Sequence, residues 1–169
     1  MLGMSLQTFT IVHTAISLIG IAAGLVVAYG LIGGKRLDRW TVLFLLTTIL
    51  TSVTGFMFPF ERLLPSHKVG IISLVVLAIA LLARHAFHLA GGWRRTYVIT
   101  AMIALYLNCF VLVVQLFLKV PALHALAPKG SEPPFVIAQV VLMAIFIWLT
   151  IAAVKGFRSE SVQAVRRAA

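Results

Sequence analysis

The sequence predicts an all-α integral membrane protein, a bundle of about five transmembrane helices with its N-terminus outside and its C-terminus in the cytoplasm. Three observations carry that expectation. Of the 169 residues 62% are hydrophobic and only 11% charged, where a soluble domain carries roughly a quarter charged. So few polar side chains cannot cover a water-facing surface. The apolar residues also gather into five runs, each close to the ~20 residues that cross a hydrocarbon core about 30 Å thick. None of the runs alternates with the period of two that a membrane strand requires.

The first helix is expected over 6–32, closed by Gly33-Gly34-Lys35-Arg36. No cationic side chain precedes Lys35 and the run is too long for a signal peptide, so this helix is expected to be retained. The second spans 40–58, with Trp40 suited to a membrane interface and Pro59 stopping the helix. The third covers 68–90 and ends at Gly91-Gly92; the fourth covers 96–118. The fifth covers 135–154, approached through Ser131-Glu132-Pro133-Pro134, where Ser131 can cap and a proline can take the first turn. Residues 1–157 thus form one transmembrane domain, and 158–169 a short polar cytoplasmic tail. The longest connection, 119–134, carries Pro121, Pro128, Pro133 and Pro134 and is expected to be ordered irregular chain.

Orientation follows from the basic residues. Lys35, Arg36, Arg39, Arg84, Arg94, Arg95, Lys155, Arg158, Arg166 and Arg167 fall on one side, and Arg62, Lys68, Lys119 and Lys129 on the other. Ten against four puts the C-terminus inside by the positive-inside rule, in a membrane of the bacterial inner (plasma) type. The net charge of +10 sits in the gaps between apolar runs, which suits lipid headgroups and argues against nucleic acid. Cys109 is the only cysteine, so no intrachain disulfide and no cysteine-based metal cluster can form. There is no nucleophile elbow, phosphate-cradling glycine loop or HExxH, and nothing points to an autonomous enzyme.

No Asp or Glu lies inside the five runs, which weighs against a proton-coupled carrier. The intramembrane polar residues are His13, Asn108, Gln115, Gln139 and hydroxyls of the second helix, including Thr51 and Thr54. His13, Ser17, Gly20 and Gly24 form one helical stripe, and Gly20 with Gly24 is a small-xxx-small pair that lets helices approach closely. At about 1.5 Å per residue, His13, Thr54, Gln115, Gln139 and His67 share the outer half of the membrane, with Asn108 near the midplane. His13 and His67, from different helices at one depth, form the sharpest pair. Two such imidazoles can ligate a haem b from both faces, as in multi-helix b-type cytochromes, or hydrogen-bond a quinone. His85 and His88 are three apart, but two ligands are too few for a metal site and they read as headgroup-level side chains.

The expected function is therefore a small membrane protein with an outward-facing polar pocket. That pocket would bind haem b or a quinone-like ligand for membrane redox work. His13 and His67 would be ligands or hydrogen-bonding groups, Thr54, Gln115 and Gln139 would orient the bound group, and Asn108 would line the floor. Two alternatives stand beside it: an accessory or assembly subunit packing on a membrane-protein partner or a second copy, and a carrier or channel for a neutral solute.

Overall fold

The protein is described by a computed structural model covering Gly3, 5–58 and 65–157, the side chains of Pro65 and Ser66 excepted. The expected tail 158–169, Pro59 and Arg62 lie outside the described residues. Among the described residues the chain is helical with no strand. Helix α1, Leu6–Ile32, starts where the Ser5 side chain accepts the Thr8 N–H. It ends in a glycine cap: Gly34 takes φ +69 and the Lys35 N–H reaches back to the Gly30 carbonyl. A residue with a Cβ avoids that left-handed conformation, so glycine at position 34 is a backbone requirement.

Helix α2 spans Asp38–Gly55, beginning two residues earlier and ending three residues sooner than its apolar run. Asp38 extends the start because a carboxylate in a first turn meets the positive end of the helix dipole. At the far end the Phe56 and Met57 N–H groups bond the Val53 and Thr54 carbonyls. These three-residue bonds tighten the turn and end the α-helix ahead of Pro59.

Helix α3 spans Pro65–Leu81 and continues as a π-helical turn over Leu82–Ala86, so it stops short of the expected residue 90. The Phe87 N–H bonds the Leu82 carbonyl, and the Leu89 N–H bonds that of Ala83. His88 and Leu89 then take positive φ, a conformation that reverses the chain and that non-glycine residues seldom adopt. Helix α4 covers Trp93–Lys119, a turn longer at its start than expected. The connection expected to be irregular contains a short helix α5, Pro121–Leu126, opened by a proline whose missing N–H costs nothing there. Helix α6 covers Pro133–Gly156, and its N-cap is Glu132 rather than Ser131.

The long helices form a ring in which α1 packs on α2, α2 on α3, α3 on α4, α4 on α6 and α6 on α1, with α1 also meeting α4 across the middle. Four helical segments, Leu6–Ile32, His67–Ala86, Trp93–Lys119 and Pro133–Gly156, are long and apolar enough to cross a membrane. Helix α2 is not among them, because hydroxyl residues and its charged first turn dilute its 18 residues. Its buried face carries hydroxyls beside Phe44 and Leu45. Thr41, Thr47, Thr48 and Ser52 are buried, while Val42, Leu43, Leu46, Leu50 and Val53 face outward. Glycines set the spacing of the ring: a Cβ on Gly24 would lie 2.5 Å from Leu105 and 2.9 Å from Phe44.

Candidate functional site: the His13 seam between α1 and α2

Along the α1–α2 seam, Gly20 of α1 brings its backbone against Thr47 of α2. Two turns toward the start of α1 the close approach delivers His13 to Thr54. The His13 Nδ1 lies 2.8 Å from Thr54 Oγ1. The Thr54 hydroxyl has one hydrogen, and its 2.7 Å contact with the Leu50 carbonyl uses it. Thr54 Oγ1 therefore accepts from His13 Nδ1–H. In the neutral ring this leaves Nε2 with a lone pair directed at whatever occupies the adjoining space.

The ring is fixed on other sides as well. Phe58 stands edge-on to it at 5.2 Å, and Phe9 in turn packs edge-on against Phe58 at 5.0 Å. Gly55 offers only its backbone: a Cβ there would sit 3.9 Å from His13 Cε1. Lys119 closes the C-terminal end of α4. One turn before it on α4 is half-buried Gln115. Thr51, one turn inward from Thr54, has a buried Oγ1 with no partner among the described residues. Leaving such a hydroxyl unpaired costs about 1–3 kcal/mol.

The other expected site residues go elsewhere. Asn108 donates to Thr48 Oγ1 at 3.2 Å and joins α4 to α2, while the Ser52 and Ser73 hydroxyls, 3.2 Å apart, join α2 to α3. Gln139 donates to the Phe110 carbonyl at 3.2 Å, joining α6 to α4, and its Oε1 is buried without a partner among the described residues. His67 is 4% exposed and packs against Phe56 at 5.6 Å. His13 thus finds its partner within α2, and His67 packs on the residue that caps it. Among the described residues no three of His, Cys, Asp and Glu cluster closely enough to hold a metal ion.

A second polar group lies at the opposite end of the bundle and was not anticipated. Arg84 turns inward, its side chain 9% exposed, and forms an ion pair with Asp38, whose side chain is 60% exposed. The guanidinium lies 5.6 Å from the Tyr97 ring centre, a cation–π distance. The signal was present as an Arg inside the third run, but its direction depends on the π turn that carries it.

Comparison of the chain with known protein families, curated proteins and solved structures found no match in any of the three.

Proposed function

We propose that this chain is a five-span membrane protein whose outer-half seam at His13 binds the polar head of a small lipid-soluble ligand of the quinone class. The observation that carries the reading is the 2.8 Å His13–Thr54 contact. By spending Nδ1–H on Thr54, it presents Nε2 as an acceptor for a quinol hydroxyl, or as a donor to a quinone carbonyl when the ring is protonated. The unpaired Thr51 hydroxyl, Gln115 and Lys119 supply further polar groups toward the same end of the bundle. Helix α2 is counted as a span because it packs within the ring and is about 27 Å long at the usual rise. The ten-to-four distribution of basic residues supports an outside N-terminus and a cytoplasmic C-terminus, in a bacterial-type inner membrane.

The test is a titration of the detergent-solubilised full chain with a short-chain benzoquinone, followed by intrinsic tryptophan fluorescence. Saturable binding is expected. His13→Ala should weaken it roughly tenfold, the worth of one hydrogen bond to a buried partner, and Thr54→Val should weaken it less because it only orients the ring. Binding indifferent to both substitutions would sink the proposal. A Soret band in the purified protein that vanishes in His13→Ala would replace the quinone with haem at the same nitrogen.

A further inference from the structure

Away from the His13 seam, helices α4 and α6 leave an open groove of about 300 Å³ between them. Its walls are Ile99, Ile103 and Tyr106 on α4 and Met143, Ile147 and Ile151 on α6. Buried Phe146 closes the floor, with Tyr106 edge-on to it at 5.7 Å. The two helices run antiparallel, so Ile99 stands level with Ile151 and Ile103 with Ile147. Both walls continue in the same register toward one end of the bundle. Arg95 is one turn before Ile99 and Lys155 one turn after Ile151, and both are exposed. Two cations thus flank one mouth of an apolar groove.

We infer that this groove holds an acyl chain of an anionic bilayer phospholipid, with its phosphate between Arg95 and Lys155. An apolar trough with no charge along its walls suits hydrocarbon, and a pair of cations one helical turn beyond it suits a phosphate at headgroup depth. A zwitterionic lipid would gain less from the same mouth, and a second copy of the chain would bring the same two positive charges against them. The inference rests on the membrane reading above but not on the His13 ligand.

The full chain is reconstituted into vesicles of equal parts phosphatidylglycerol and phosphatidylcholine, extracted in mild detergent, and its retained lipid identified by native mass spectrometry. Retention of phosphatidylglycerol in preference to phosphatidylcholine is expected. Arg95→Gln with Lys155→Gln should reduce that preference roughly thirtyfold, given about 1 kcal/mol per basic residue near a membrane surface. Ile147→Trp, which fills the groove and leaves both cations, should displace the lipid, while Arg39→Gln elsewhere on the basic side should not. Equal retention of the two lipids by the unsubstituted protein would overturn the inference, as would a lipid-free dimer that Ile147→Trp dissociates. Failure of the membrane reading would look different: the chain would not enter vesicles at all.

Discussion

At the scale of single residues, polar side chains here are positioned by which of their hydrogens are already committed. Thr10, Ser17, Thr47, Ser52, Thr54, Thr100 and Thr150 each return their hydroxyl hydrogen to a carbonyl three or four residues earlier. That habit satisfies a hydroxyl without water and leaves its oxygen as an acceptor only. It is why His13 must donate at Nδ1. Glu132 obeys a related rule outside the membrane helices, where its carboxylate accepts the Lys129 and Ser131 N–H groups at 3.0 Å each. The Lys129 bond is the chief reason that its pKa lies below the ordinary carboxylate value. A depressed folded-state pKa contributes order above the unfolded value, near ~4.3, and that order is lost as pH falls through the folded value. Protection of the Lys129 and Ser131 amides should therefore be level from neutral pH to about 5 and collapse on further acidification. Glu132→Gln should remove the step. Protection unchanged down to pH ~3 would show that the carboxylate does not hold this turn.

At the scale of elements, helix spacing is set by glycines whose tolerance for a methyl group differs in sign. Gly156 of α6 lies directly against the Ile32 carbonyl of α1, leaving no room for a Cβ, whereas Gly92 before α4 meets nothing within 4 Å. Gly156→Ala should destabilise the bundle by about 1–3 kcal/mol, because the obstacle is backbone and cannot rotate away. Gly92→Ala should be neutral or stabilising by about 0.4–1 kcal/mol, through the unfolded chain. Thermal unfolding in one detergent compares the two, and equal shifts would refute the argument from space. The same elements show what was legible beforehand. The extent of α1 was readable in full, because its apolar run and glycine stop are local signals. The end of α3 was not, since the π turn at Leu82–Ala86 accompanies the inward Arg84–Asp38 pair, a contact 46 residues apart in sequence. Height along the bundle was readable from residue counts, which brought His13 and Thr54 to one level. The neighbours were not: His13 bonds Thr54 and His67 packs on Phe56.

At the scale of the whole molecule, the two ends of the bundle differ in kind. One end gathers Asp38, Arg84, Arg36, Arg39, Arg94, Arg95 and Lys155, with Trp93 and Phe87 stacked at 3.8 Å beside them. The other carries His13, Gln115, Lys119, α5 and the Glu132 turn. A membrane that exerts the positive-inside bias orients such a body, because its cytoplasmic leaflet is anionic and basic loops resist export. The first end should be cytoplasmic and the Glu132 turn external. Ser131, exposed in that turn, is a position to ask. In a Cys109→Ala background, which removes the only native thiol, Ser131→Cys should react with a membrane-impermeant maleimide in intact cells. Tyr29→Cys, exposed near the other end of α1, should react only after the membrane is permeabilised. The reverse pattern would invert the protein and move the His13 seam to the cytoplasmic half. Labelling of both positions in intact cells would mean that the bundle does not separate two compartments, and the five-span reading would fall with it.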